Sequence, residues 1–136
     1  MDINVLHRLE KAVAERGPGA YVLTVSNDGR PHAVYLTVAW SNARLVAEIG
    51  NTTAANAKAR PEISLLFPVR TVGDYSFFVD GRATVEAGDG VHRLVLAPTR
   101  AVFHRHGLAP DRNSSCTADC MPVLGATSPL PMSPPR

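Results

Sequence analysis

Apolar and polar residues change rhythm several times along this chain, and each change marks an element. Ile3, Leu6, Leu9 and Val13 recur at helical spacing with Arg8, Glu10, Lys11 and Glu15 between them, so the pattern predicts an amphipathic helix from Asp2 to Arg16. Gly17-Pro18-Gly19 ends it. Its single apolar stripe suits a lid packed over one end of a sheet. From Tyr21 the period becomes two, with Tyr21, Leu23 and Val25 alternating with Thr24 and Ser26. Asn27-Asp28-Gly29 then supplies residues that tolerate positive φ, which predicts a hairpin. The second strand runs from His32 to Trp40 with Val34, Leu36 and Val38 on one face. A tight turn at Ser41-Asn42 leads into a third strand, Arg44 to Ile49, so these three strands are expected to form a meander.

The stretch from Ala43 to Phe67 organises the rest. After Gly50, the residues Asn51, Thr52 and Thr53 offer capping groups, an Ala-rich turn or two follows, and Pro61 closes a short helix. Ile63 to Phe67 is a continuous apolar run too short for a helix, as expected of a strand buried on both faces. A helix that starts with free backbone N–H groups and two threonines is a natural seat for a phosphate. Pro68 to Asp74 reads as a connection and Tyr75 to Ala87 as a long strand, whose interior Gly81 suggests a bulge. Asp89-Gly90 turns the chain into a last strand, Val91 to Ala97, and Ala101 to His106 reads as a final helical turn. The expected fold is mainly β, of the α+β kind: a six-stranded antiparallel sheet, closed as a barrel, with an N-terminal helix and a short helix between strands. Residues 1–106 form this domain and residues 107–136 an irregular tail. From Met121 to Arg136 the tail is rich in Pro, Ser and Thr without apolar periodicity, so it is expected to form no packed element.

Composition narrows the class. Hydrophobic residues make up 45% of 136 residues, enough for one core and no second domain. Apolar runs stay short of the ~18 residues that cross a bilayer, and no apolar signal segment follows Met1, so a soluble cytoplasmic protein is expected. The formal net charge is +2, with basic and acidic residues interspersed, which points to neither nucleic acid nor an anionic membrane as partner.

The side chains with reactive chemistry are few. His104, His106, Cys116 and Cys120 are of the types that hold zinc, but their spacing fits no zinc motif and Arg105 stands between the histidines. No metal site is expected, and the cysteines read as free thiols. No acid–base pair of carboxylates is evident. His32 and Trp40, at the two ends of one strand, read as a half-buried edge histidine and a core or interface tryptophan.

Three stretches taken together carry a family resemblance: L-T-V-S-N-D-G-R-P-H at Leu23 to His32, A-R-L-V-A-E-I-G-N-T-T-A-A-N-A-K-A-R-P-E-I-S-L-L-F at Ala43 to Phe67, and Y-S-F-F-V-D-G-R-A-T-V at Tyr75 to Val85. In order and spacing they resemble the pyridoxamine 5′-phosphate oxidase-like family of FMN-binding split barrels, over roughly residues 1–106. The resemblance implies a split β-barrel, a homodimer with flavin sites at the subunit interface, and flavin-dependent oxidation or reduction of a small-molecule substrate. It places the cofactor phosphate at Asn51, Thr52, Thr53, Asn56 and Lys58, with no catalytic side chain assigned. In the oxidase proper a Ser-Arg-Lys run stands at Asn51-Thr52-Thr53, and a strand arginine and lysine stand near Val34 and Ala39. Those cations are missing here, and Arg30, Lys58 or Arg60 would have to substitute for them. The expected cofactor is therefore FMN or a deazaflavin coenzyme, in a relative of the oxidase. The alternatives are a non-catalytic flavin, deazaflavin or haem binding protein, or a cofactor-free interaction protein.

Overall fold

The computed structural model describes residues 1–88, 90–106 and 118–125. Helix α1 spans Ile3–Arg16 and is capped by Asp2, whose carboxylate accepts from the Asn4 N–H at 3.0 Å. Leu9, Ala12 and Val13 are buried, the i, i+3, i+4 stripe that the sequence shows. At its end the Gly17 N–H donates to the Val13 carbonyl at 2.7 Å, and the Arg70 guanidinium donates to the carbonyls of Arg16 and Gly17.

Strands β1 (Gly19–Val25) and β2 (Pro31–Thr37) form the expected hairpin, in register from Gly19↔Thr37 to Val25↔Pro31, with Gly29 at φ 82° in the turn. The strand expected from His32 to Trp40 is two strands. The break falls at Val38, which turns its side chain into the core and donates its N–H to the Pro18 carbonyl at 2.8 Å. Strand β3 (Ala39–Ser41) then pairs with β4 (Arg44–Ile49) through Asn42 and Ala43, at φ 49° and 62°. Helix α2 (Asn51–Ala59) leads to β5 (Glu62–Phe67), β6 (Ser76–Ala87), β7 (His92–His106) and β8 (Ala118–Leu124).

All pairings are antiparallel, in the order β2-β1-β5-β6-β7-β4-β3, with β8 also on β7. The first strands therefore make two separate hairpins rather than a meander, because β4 pairs with β7. Among the described residues β2 and β3 share no ladder, so the barrel is split rather than closed.

Among the described residues eight strands replace the expected six. One is the β3 fragment. The other, β8, lies in residues 118–124, where an irregular tail was expected: it pairs with β7 from His106↔Ala118 to Ala101↔Leu124. Its Pro122 is tolerated because β8 is an edge strand with a register shift beside that proline. The helical turn expected at Ala101 to His106 is instead the far half of β7, which continues through Pro98 because Pro98 sits opposite Gly81 at a bulge. Strand β5 is buried on one face only, through Ile63, Leu65 and Phe67.

The core joins these residues to Val22, Phe77, Val79, Leu94 and Leu96, with Leu9 and Val13 of α1 and Ala54 and Ala57 of α2 packed into it. No described helix is long and apolar enough to cross a membrane.

Candidate functional site

The start of α2 is built by the end of β4. Gly50 is the N-cap and has no side chain to offer, and the first intrahelical bond runs from the Ala54 N–H to the Gly50 carbonyl at 3.0 Å. The N–H groups of Asn51, Thr52 and Thr53 are thus left without intrahelical acceptors and aim out of the helix end. Thr52 and Thr53, read from sequence as caps, lie inside the first turn. Thr52 is exposed, whereas Thr53 is 2% exposed and its hydroxyl has no hydrogen-bond partner among the described residues. Asn51 is exposed and holds its side-chain oxygen 2.9 Å from His92 Nε2.

His92 is a residue that sequence reasoning missed. It reaches the helix start because β7 begins opposite the end of β4, in the pair Ile49↔His92. Its Nδ1 is buried without a partner among the described residues. Nothing local in the sequence links it to Asn51, since the contact exists only once β4 and β7 pair.

The remaining candidates divide. Asn56 is 5% exposed, and its Nδ2 donates to the Thr24 hydroxyl at 3.1 Å inside the molecule, so its amide ties α2 to β1. Lys58 is exposed and lines a different groove with Arg44 and Arg82, about 10 Å of helical rise beyond Asn51. Arg60 is spent on the Val25 carbonyl at 2.7 Å and on the Asn27 side-chain oxygen at 2.9 Å. Arg30 pairs with Asp28 at 2.7 Å. The structure therefore brings Asn51, Thr52 and Thr53 together, gathers His92 to them, and sets none of the expected substitute cations at the helix start.

A groove of about 680 Å³ is lined by Thr37, Ala39, Val46, Glu48, Glu86 and Arg93 among others. The pair Glu48↔Arg93 is next to Ile49↔His92 in the β4–β7 register, so the groove and the helix start lie one residue apart along the ladder. Arg93 pairs with Glu86 at 3.3 Å. The volume suits a small organic ligand. Trp40 is half-buried against the core, paired with buried Leu45, and does not line the groove. His32 lies opposite Thr24 and lines a smaller cavity of about 310 Å³, with its Nδ1 buried and unpartnered among the described residues.

The donor set at α2 consists of orphan N–H groups and the hydroxyls of Thr52 and Thr53, neither with a hydrogen-bond partner among the described residues, which fits a phosphate and is electrically neutral apart from the helix dipole. Such a site can hold and orient an anion. It contains no nucleophile paired with a base. Among the described residues no three His, Cys, Asp or Glu side chains group as metal ligands. Cys120 is a free, exposed thiol opposite His104 in the β7–β8 register, and Cys116 lies outside the described residues.

Comparison with known proteins sets this geometry in a family. No family model matches the chain. Two uncharacterised mycobacterial proteins, Mb0449c of Mycobacterium bovis and MT0457 of Mycobacterium tuberculosis, are each 34% identical to it over 85% of this chain and 92% of their own length. Among solved structures, a Listeria innocua protein provisionally named a pyridoxamine 5′-phosphate oxidase superposes with a TM-score of 0.62, at 15% identity over 73% of this chain and 97% of that one. An F420 reductase superposes at 0.57, with 16% identity over 67% and 94% of the two chains. A FAD-binding protein from Mesorhizobium loti gives 0.53, with 19% identity over 67% and 86%. The haem storage protein HutZ from Vibrio cholerae gives 0.55, with 15% identity over 68% and 89%, so flavin, F420 and haem proteins all share this fold. The chain therefore belongs with the mycobacterial proteins Mb0449c and MT0457, and its fold is that of the pyridoxamine 5′-phosphate oxidase-like split barrels, outside the oxidase proper.

Proposed function

We propose that this protein binds a flavin-type cofactor, FMN or a deazaflavin, and uses it to oxidise or reduce a small molecule in the cytoplasm. The observation that carries the reading is the start of α2, where the N–H groups of Asn51, Thr52 and Thr53 have no intrahelical acceptor and Thr52 is exposed, one register pair along the ladder from the groove lined by Ala39 and Val46. The N–H groups and the hydroxyls of Thr52 and Thr53 would hold the phosphate, and Asn51, fixed by His92, would position the turn that carries them. The apolar part of the groove lining would exclude water from a planar ring system. A bound flavin or deazaflavin supplies the electron-accepting chemistry, and the side chains only bind and orient it. Tyr21 and Tyr35, 39% and 57% exposed with ring centroids 5.0 Å apart, form an outer sheet face with Leu66 and Phe78 that a second copy of the chain would cover, giving a homodimer.

The test is titration of the purified protein with FMN, and separately with the deazaflavin, beside a Thr52→Ala, Thr53→Ala double variant. Loss of both hydroxyls is expected to weaken binding roughly tenfold or more. Unchanged affinity in a folded double variant would move the phosphate elsewhere. Failure of the unaltered protein to bind either compound would leave a haem-binding or cofactor-free protein, which a Soret band, or the absence of any bound mass in native mass spectrometry, would then identify.

A further inference from the structure

We propose that the groove between the last turn of α2 and strands β4 and β6 is a second ligand site, one that takes a small molecule carrying two or more anionic groups, and that it is separate from the start of α2. The groove has a volume of about 520 Å³ and is lined by Arg44, Lys58 and Arg82 together with Pro61, Thr84 and Ala97. Three cations converge on it and no carboxylate lines it.

The three cations come from different elements. Arg44 opens β4, Lys58 lies in the last turn of α2, and Arg82 lies on β6, directly opposite Glu62 of β5. In the sheet Arg82 pairs with Ala97 of β7, and Leu45, next to Arg44, pairs with Leu96, next to Ala97. Arg82 and Arg44 thus lie on the two strands that flank β7, at the level of Ala97.

Their existing partners are weak or absent. The Lys58 ammonium has no hydrogen-bond or ion-pair partner among the described residues. Among the described residues Arg44 donates only to the carbonyl of its neighbour Ala43, at 3.1 Å. Arg82 reaches Glu62 at 3.0 Å, but that pair is 66% and 68% exposed, so an incoming anion competes with it under little penalty. By contrast Arg16, Arg60 and Arg70 are all occupied by carbonyl, amide or carboxylate oxygens.

A concave surface walled by one sign of charge concentrates the opposite ion, and two arginine forks and a lysine lining one groove suit planar or tetrahedral oxyanions. The Thr84 side chain adds a hydroxyl on the same wall. The volume lies in the range of small-molecule sites. Phosphate and carboxylate groups share this recognition chemistry, and the two are separated by experiment.

The experiment uses the full chain at low ionic strength and titrates it with inorganic pyrophosphate and with citrate, followed by calorimetry and by backbone amide NMR shifts. Saturable binding is expected, with shifts grouped at Arg44, Lys58, Arg82 and Thr84. Lys58→Ala and Arg82→Ala are each expected to weaken it about tenfold, the loss of one charge-assisted contact, while Lys11→Ala on the exposed face of α1 leaves it unchanged. Binding of pyrophosphate alone would assign a phosphate ligand, binding of citrate alone a carboxylate ligand, and binding of both the shared anion site. The proposal is overturned if neither probe saturates, if no saturable shifts group at the groove in the Thr52→Ala, Thr53→Ala variant, or if Lys11→Ala weakens binding as much as Lys58→Ala does. Should Lys58→Ala melt early, Lys58→Gln keeps the stem and tests the charge alone. The Thr52→Ala, Thr53→Ala variant is expected to bind pyrophosphate or citrate in the groove as the unaltered protein does, so failure of the flavin reading leaves this result independent.

Discussion

Asn56 Nδ2 and the Thr24 hydroxyl meet at 3.1 Å with both residues at least 95% buried, and this bond fixes α2 to β1. A buried hydrogen bond of this kind contributes little net stability while intact, yet removing one partner strands the other. Asn56→Ala is therefore expected to cost about 1–3 kcal/mol in urea unfolding. Thr24→Val alone should cost a similar amount. The double variant should cost less than the sum of the two, and strict additivity in this cycle would show that the bond contributes nothing.

Two glycines are expected to behave in opposite ways. A Cβ on Gly81 would meet the Ala97 carbonyl oxygen at 2.3 Å and Leu96 side-chain carbons at 2.9 Å, all of them fixed in the sheet. A Cβ on Gly19 would meet the Tyr35 hydroxyl at 2.0 Å, but that ring is 57% exposed and can swing away. Gly81→Ala is predicted to lose about 3 kcal/mol or fail to fold, and Gly19→Ala to lose under about 1 kcal/mol. A Tyr35→Ala change should relieve what little Gly19→Ala costs. Equal losses at the two glycines in thermal melts would sink this account.

Acid should weaken the fold through two aspartates. The Tyr75 N–H and then Arg16, whose guanidinium lies 2.8 Å away, hold the Asp74 carboxyl below its usual 3.8. The Ser26 hydroxyl and then Arg30 do the same for Asp28. A carboxyl depressed in the folded state adds stability that is fully present above its unfolded value and is lost as pH falls through the folded one. Stability is thus expected to hold from neutral pH down to about 4 and to fall below it. In Asp74→Asn the neutral-pH stability should be lower and the acid limb shallower. An unchanged acid limb in pH-dependent urea midpoints would remove Asp74 as a cause.

Strand β8 is expected to matter for stability even though its segment reads as tail. Val123 and Leu124 pack against the core, and β8 ladders onto β7 along its length. Ending the chain after residue 117 should lower the melting temperature by roughly 5 °C or more, since two partly buried aliphatic side chains and a set of ladder bonds are lost. Ending it after residue 125 should leave the melting temperature within a degree or two of the full chain. Equal melting of both truncations and the full chain would show that β8 adds no stability.

What the sequence determined by itself was everything that depends on near neighbours. The stripe of Leu9 and Val13 in α1 and the Asn27-Asp28-Gly29 turn rest on contacts within a few residues, and the structure reproduces both. The position of α2 and the polar residues at its start were legible for the same reason. The period of two in β1 marks a strand, but the buried face is that of Ala20, Val22 and Thr24, with Tyr21 and Val25 exposed, because the core takes the face opposite to the one the apolar residues suggest. Tertiary structure decided what depends on a distant partner. Pro98 reads as a stop, yet β7 runs through it because Gly81 on β6 leaves room opposite. Val38 leaves the strand because Pro18 accepts its N–H and the core takes its side chain. The segment 118–124 is too weakly patterned to make a strand alone and becomes one only on the open edge of β7. At the candidate site, pattern alone groups Asn56 and Lys58 with the threonines. Packing turns Asn56 inward to Thr24, places Lys58 with Arg44 and Arg82, and brings His92 to Asn51. These are choices between neighbours that do not exist until the sheet has formed, so no local pattern can encode them.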